Sequence, residues 1–239
     1  MTDIDLLETA VSDDLGDHTR WFEPGGYSSV ALCLIDSIYS TGNHYTGVID
    51  AVRKYRERRG INASADDTAS DLASAVKNWG GADALANTTK RWRCWPSTKA
   101  PYKADAVLRA AEILAAHRIE TIDDVRERLG TPEQQDESPA KKEWLRLPGQ
   151  RSGLTWTYFL MLAGVPGVKA DRMVVRHVSR VLRRDVDPRE AARIVSEVAT
   201  RRNVSRTKLD HAIWRFESGR AVYIEAERPD HLPGQAHTR

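Results

Sequence analysis

Apolar residues recur along most of this chain at the three- and four-residue spacing of an α-helix. Residues 28–40 are almost entirely apolar and predict a buried helix, with two serines at its start that can cap it. Further helices are predicted at 45–59, 67–78, 103–117, 121–129, 139–147, 154–163, 171–184, 188–202 and 205–219. No run alternates as a half-buried strand does, so the pattern predicts an all-α fold.

Stretches without this periodicity divide the chain. Residues 78–102 contain two adjacent glycines and three tryptophans and are interpreted as an irregular connector, and residues 131–139 as a polar linker. A chain of 239 residues can form one domain or two lobes that share a cleft. The division that we predict is an N-terminal segment (1–26), a helical lobe (27–139), a basic helical lobe (140–220) and a loose tail (221–239).

Charge is distributed unevenly, although the net charge is only +2. Residues 140–220 carry 18 basic and 8 acidic residues, whereas residues 1–139 carry 16 basic and 23 acidic residues. A basic half indicates a polyanionic partner, with nucleic acid first among the candidates. The alternative is that these arginines form ordinary solvated helix faces.

Several classes of protein are excluded by what the sequence lacks. Two cysteines, Cys33 and Cys94, cannot form a four-thiolate metal or iron–sulfur site, and a disulfide framework is not expected. No phosphate-binding glycine loop, dinucleotide fingerprint, serine nucleophile elbow or zinc-ligand spacing occurs, so we expect no metal and no cofactor. No basic leader and no long apolar run is present. We therefore expect a cytoplasmic protein.

A Leu-Pro-Gly turn at residues 147–149 predicts a tight connection between two helices. Pro148 cannot continue the helix that ends at Leu147, Gly149 can adopt a positive φ, and a new helix starts near Gly153. Such a hairpin exposes the free backbone N–H groups of the second helix, where the helix dipole attracts an anion. We predict a phosphate-binding turn here; an ordinary helix–helix connection is the alternative.

Asp171 is the sharpest chemical candidate. It directly precedes the basic amphipathic segment that begins at Arg172, so it is expected at the N-cap of a helix, where the dipole favours the charged carboxylate. A carboxylate at the mouth of a cleft can stabilise positive charge on a sugar ring or orient an attacking water. Simple helix capping is the alternative interpretation.

The order of hairpin, apolar helix, Asp and helix resembles the helix-hairpin-helix base-excision DNA glycosylases of the endonuclease III and adenine-glycosylase type. From Leu147 to Asp171 this sequence aligns with the endonuclease III pattern without a gap, which places Asp171 on the catalytic aspartate. Residues 32–43, 102–111 and 209–216 resemble other family helices in the same order, so the resemblance covers about residues 27–220. It implies a two-lobed helical fold with a cleft between the lobes.

This sequence also departs from the family pattern. Arg151 replaces the second glycine of the hairpin, and Gly153 occupies the position of the Schiff-base lysine of bifunctional members, with no replacement lysine before Lys169. The four-cysteine cluster of the family is absent. Amine attack, β-elimination and an iron–sulfur centre are therefore not expected, and the resemblance implies a monofunctional enzyme.

The implied function is a nucleoid-associated, monomeric DNA glycosylase that flips a damaged or modified base out of double-stranded DNA and hydrolyses its N-glycosidic bond. A helix-hairpin-helix DNA-binding protein without this chemistry is the alternative. The base itself is not predicted. The residues expected to grip the DNA backbone are Gly149, Gln150, Arg151, Ser152, Gly153, Arg172 and Arg176.

Weaker candidates complete the predicted site. Asn43, His44 and Tyr45 follow the first long helix and can fill the gap left by an extruded base, although helix capping by Asn43 is the simpler explanation. Aromatic stacking against the base is assigned to Tyr39, Trp156 and Tyr158, with an ordinary core role as the alternative. Arg172, Arg176 and Arg180 recur every fourth residue and form one stripe, which either follows the DNA backbone or faces solvent.

Overall fold

The computed structural model describes residues 1–224. This part of the chain forms thirteen α-helices and no strand, which confirms the all-α prediction. In chain order the helices are α1 (Asp3–Leu15), α2 (Val30–Tyr39), α3 (Tyr45–Arg59), α4 (Ala69–Trp79), α5 (Ala82–Thr88), α6 (Lys103–Ala116), α7 (Ile122–Leu129), α8 (Pro132–Glu137), α9 (Pro139–Trp144), α10 (Leu154–Leu162), α11 (Arg172–Leu182), α12 (Pro188–Arg201) and α13 (Arg206–Glu217). The predicted loose tail (221–239) is wrong for its first four residues, because Val222 and Tyr223 pack on the core that contains Trp21; from residue 225 onward it lies outside the described residues.

Three helices were not predicted, and each has a local cause. Helix α1 begins at a capping box in which Thr2 and Asp5 satisfy each other's backbone N–H groups. Helix α8 uses the same device, with Thr131 and Gln134, and places Pro132 in its first turn. Helix α5 is a short element inside the predicted connector 78–102, directly after Gly80 and Gly81. These helices were missed because α1 and α8 are rich in polar residues and α5 follows two glycines.

Two separate hydrophobic cores organise the molecule. The first contains buried residues from Val30 to Val165 and is built mainly by α2, α4, α6 and α10. The second combines α1 with α11, α12 and α13 and contains buried residues from Leu7 to Trp21 and from Val168 to Val222. The described chain therefore crosses from the second core to the first and back again.

The structure corrects the predicted lobe boundaries. The boundary expected after residue 139 falls instead between Val165 and Val168, because α9 and α10 bury Trp144, Trp156 and Phe159 in the first core. Residues 1–26 are also not a separate segment, because Leu7, Val11 and Leu15 of α1 are fully buried in the second core. The hairpin thus belongs to the first core and the Asp171 helix to the second.

The uneven charge is partly neutralised inside the molecule. Basic residues on the surface around the second core form ion pairs with acidic residues among the first 23 residues of the chain. The pairs are Arg180–Asp14, Arg184–Asp3, Arg201–Asp5 and Lys208–Glu23. Most of these pairs are exposed and contribute little to stability. Their consequence is that the excess of positive charge counted in residues 140–220 is not all available to an external polyanion.

Within residues 1–224, the helices are too short or too polar to cross a lipid bilayer.

Candidate functional site

A cavity of about 800 Å³ opens where the two cores meet. On the side of the first core, the cavity is lined by the turn after α2, the start of α3 and one side of α10. On the side of the second core, it is lined by the start of α11 and by residues along the whole of α13. Its lining includes Ser40, Thr41, Asn43, His44, Tyr45, Leu154, Tyr158, Lys169, Asp171, Arg172, Met173, Arg176, Asp210, His211, Trp214 and Glu217. A second cavity, of about 620 Å³, lies beside residues 24–28 and contains none of these residues.

Asp171 lies in the first cavity with one oxygen engaged and one free. Its Oδ1 accepts the backbone N–H groups of Met173 at 2.8 Å and of Val174 at 3.4 Å, which caps α11. Its Oδ2 forms no hydrogen bond with the described residues, and the side chain is half-buried at the cavity wall. Capping and an available carboxylate oxygen are therefore both properties of this residue.

Lys169 lines the cavity but was not among the predicted site residues. Its Nζ lies 3.6 Å from the centroid of the Tyr158 ring and donates a hydrogen bond to Ser40 Oγ at 3.1 Å. Burial lowers the pKa of Lys169, and the carboxylates of Asp171, Asp210 and Asp36 oppose that shift. The Lys169 amine thus lines the cavity together with the carboxyl groups of Asp171 and Asp210, while Asp36 acts on it from outside the cavity.

Helix α13 supplies three further cavity residues that were not predicted: Asp210, His211 and Trp214. The ring of His211 stacks on Trp214 with 6.1 Å between centroids. Asp210 is 6% exposed and its Oδ1 has no partner among the described residues. In the sequence, Asp210 shares the apolar face of its helix with Leu209 and Ile213. An acidic residue on an apolar helix face is the feature that could have identified Asp210 as a candidate.

The predicted hairpin is present between α9 and α10. Gly149 and Gly153 adopt φ of 76° and 75°, the left-handed conformation that glycine adopts without strain. The backbone N–H groups of the exposed residues Arg151 and Ser152 donate no hydrogen bond within the described residues. These two donors, beside the N-terminus of α10, are suited to an anion. Leu154, which follows the hairpin directly, lines the cavity.

Gln150 does not contact a ligand through its side chain, which corrects one predicted backbone-gripping residue. It is 2% exposed; its Oε1 accepts Thr155 Oγ1 at 2.5 Å and its Nε2 donates to the Pro148 carbonyl at 2.9 Å. Thr155 Oγ1 also accepts the indole N–H of Trp144 at 3.1 Å. This buried chain of hydrogen bonds ties the hairpin to α9 and α10, because a buried polar group needs a partner. The role of Gln150 is to hold the turn.

The arginine stripe of α11 is divided between the cavity and intramolecular contacts. Arg172 is exposed at the cavity, and no ion pair engages it among the described residues. Arg176 donates to Glu217 Oε2 at 2.7 Å, and Arg180 lies between Asp14 and Glu217. Of the three predicted positions, Arg172 is the one whose charge faces outward without a partner.

The turn predicted to enter the duplex lies at the cavity mouth. Asn43 Nδ2 donates to the carbonyls of Tyr39 and Thr41, at 3.1 Å and 3.0 Å, so its side chain closes the end of α2 as the capping alternative requires. His44 is exposed. Tyr45 packs edge-on against Trp214, at 5.6 Å between centroids, and so joins the two cores. His44 is therefore the residue of this group whose side chain is free to move.

A buried lysine fixes the same turn. Lys103 is 2% exposed, and its Nζ donates to the carbonyls of Tyr39 and Thr41 and to Thr41 Oγ1. Burial lowers its pKa to about 8. Lys103, at the start of α6, therefore fixes the turn after α2 that lines the cavity.

Two of the three predicted base-stacking aromatics lie elsewhere. Tyr39 is fully buried and hydrogen-bonded to Thr89 Oγ1 at 2.8 Å, and Trp156 packs on Trp144 in the first core. Neither lines the cavity, because both point to the core side of their helices. Tyr158 does line it, with the Lys169 ammonium over its ring.

Residues 5–218 match a family model described as Domain of unknown function (DUF8548), and the chain belongs to this family. No curated protein and no solved structure matches the chain.

Proposed function

We propose that this protein is a monofunctional DNA glycosylase that excises a damaged or modified base. One observation carries the proposal: the carboxylate that the resemblance to DNA glycosylases assigns to catalysis lies in a cavity between the two cores, next to the hairpin. Within residues 1–224, its Oδ2 and the N–H groups of Arg151 and Ser152 have no hydrogen-bond partner. The cavity volume of about 800 Å³ is within the range of small-molecule sites and accommodates an extruded nucleotide.

The proposed sequence of events uses residues of both cores. The N–H groups of Arg151 and Ser152 bind a backbone phosphate, and Arg172 adds a charge on the opposite wall. The flipped nucleotide enters the cavity beside Tyr158. Asp171 Oδ2 then stabilises the positive charge that develops on the sugar as the N-glycosidic bond breaks, and water adds to C1′. The products are a free base and an abasic site.

A second candidate activity, cleavage at abasic sites, is favoured by the position of Lys169. An amine whose pKa is lowered by burial can act as a nucleophile. In that reaction Nζ adds to the C1′ aldehyde, water leaves to form an imine, and loss of a C2′ proton expels the 3′ phosphate. The contacts of Nζ with Ser40 and Tyr158 favour the monofunctional reaction instead, because they must be broken before the amine can attack.

The test is a panel of duplexes that each carry one altered base: uracil, an alkylated purine, oxidised guanine, mismatched adenine or a modified pyrimidine. We expect the full chain to convert at least one duplex to a product that breaks only after alkali treatment. Breaks without alkali, together with a covalent complex trapped by borohydride and lost in Lys169→Arg, support the lyase. Salt-dependent binding with no product from any duplex contradicts both activities and identifies a DNA-binding protein.

A further inference from the structure

The buried carboxyl group of Asp210 is not used by the proposed mechanism. It lies on α13, is 6% exposed, and lines the cavity that also contains Asp171. Its Oδ1 is buried and has no hydrogen-bond partner within residues 1–224. A buried polar atom without a partner is costly, and at a cavity wall a ligand can supply the missing partner.

The surroundings of Asp210 favour its neutral form. Burial raises its pKa well above the usual range and the negative charge of Asp171 raises it further, while the ammonium and the backbone N–H group of Lys169 oppose the shift. Helix α11 packs against α13, and the charged side chains that act on the Asp210 carboxyl are Asp171, which caps α11, and Lys169, which lies just before that cap. Asp171 is half-buried, and its Oδ1 accepts two backbone N–H groups of α11.

Two carboxyl groups in one cavity with different surroundings are suited to different tasks. We propose that Asp210 is the general acid of the reaction and protonates the leaving base, while Asp171 acts on the sugar. This inference rests on the proposed glycosylase function. It assigns a catalytic role to a residue outside the hairpin and outside the aspartate that the family resemblance identifies.

The Asp210 O–H bond breaks and its proton passes to a ring nitrogen of the base, while the electron pair of the C1′–N bond moves to the base. Water supplies the oxygen of the new C1′ hydroxyl and releases a proton, and solvent restores the proton of Asp210. The substrate class follows: a base that must gain a proton to leave. A cationic base such as N7-methylguanine leaves as a neutral molecule and needs no acid.

The protonation state can be measured without any substrate. In protein labelled with ¹³C at aspartate carboxyl groups, the Asp210 resonance is identified as the one that disappears in Asp210→Asn. Its chemical shift is expected to be that of a protonated carboxyl group at a pH where exposed aspartates are fully ionised. An Asp210 resonance that titrates together with the exposed aspartates contradicts the inference and leaves the proposed glycosylase function intact.

The catalytic role is tested by the pH profile of base release from whichever panel duplex the full chain processes. We expect wild-type activity to fall on the alkaline side as Asp210 ionises. Asp210→Asn is expected to lower kcat by about 10²–10⁴-fold and to lose that alkaline fall. Asp36→Asn is the matched control: Asp36 is also buried, with a raised pKa, but lies outside the cavity, so this variant should keep the alkaline fall.

Three outcomes overturn the inference while base release itself stands: an unchanged pH profile in Asp210→Asn, a kcat loss that leaves the alkaline fall in place, or excision restricted to N7-methylguanine. The last is decisive because that base departs without a proton. Absence of base release from every duplex instead contradicts the proposed function, so the two failures are distinguishable.

Discussion

Replacing Asp171 with asparagine is expected to reduce base release by about 10³-fold or more while leaving affinity for duplex DNA within a few-fold of wild type. Loss of a group that stabilises charge in the transition state costs about 10²–10³ in rate, and loss of a nucleophile or base adds to that. The fold is retained because asparagine caps helices about as well as aspartate, and the cap uses Oδ1 alone. Single-turnover base release and a salt-controlled binding titration measure both effects.

Asp187→Asn is the matched control for this variant. Asp187 caps α12 in the same way, with Oδ1 accepting the N–H groups of Arg189 at 2.8 Å and Glu190 at 3.0 Å, but it is exposed and outside the cavity. It should release base at the wild-type rate. Equal activity of wild type and Asp171→Asn, or equal losses in the two variants, would remove Asp171 from the mechanism.

Thr155→Val is expected to destabilise the protein by about 2–4 kcal/mol and to weaken DNA binding. The substitution preserves shape but leaves the indole N–H of Trp144 and Oε1 of Gln150 without partners in a buried site. An unsatisfied buried group costs about 1–3 kcal/mol, and for a chain of this size the melting temperature should fall by about 4–16 °C. Thermal unfolding and duplex titration measure the two effects.

Thr157→Val provides the comparison for that result. Thr157 lies on the same helix but is half-buried, and its hydroxyl makes no hydrogen bond with the described residues. It should change the melting temperature by less than about 2 °C, since substitutions away from buried features have small effects. If Thr155→Val and Thr157→Val unfold at the same temperature, the hydrogen-bonded chain does not hold the hairpin.

The fold was predictable where hydrophobic periodicity dominates. The helix expected at 28–40 is α2, in which every residue is buried, and the one expected at 205–219 is α13. Helix α1 shows that a signal can be present and still be missed: Ile4, Leu7 and Val11 recur at helical spacing, but the acidic residues between them resemble a solvated segment. That it completes the second core depends on contacts between residues nearly 200 positions apart, which local patterns do not encode.

The site was predictable only for features encoded within a few neighbouring residues. The cap by Asp171 and the left-handed Gly149 follow from the sequence around each residue. The cavity positions of Lys169 and Asp210 do not, because they depend on how α13 packs against α11. Side-chain direction separates Tyr158 from Trp156, since helical neighbours two positions apart face different sides. The burial of Gln150 was missed because its partner Thr155 lies in the next helix.

Stabilisation by Asp171 of positive charge on a sugar held in the cavity can be tested without knowing which base the protein excises. The measurement compares affinity for two duplexes, one with a pyrrolidine ring in place of a sugar, as a cationic mimic of the transition state, and one with a neutral tetrahydrofuran ring. Enzymes bind transition-state analogues at least about 10²-fold more tightly than ground-state ligands. We predict a preference of about that size for the cationic duplex in the wild-type chain, and its loss in Asp171→Asn. Equal affinity of the wild-type chain for both duplexes would contradict the account.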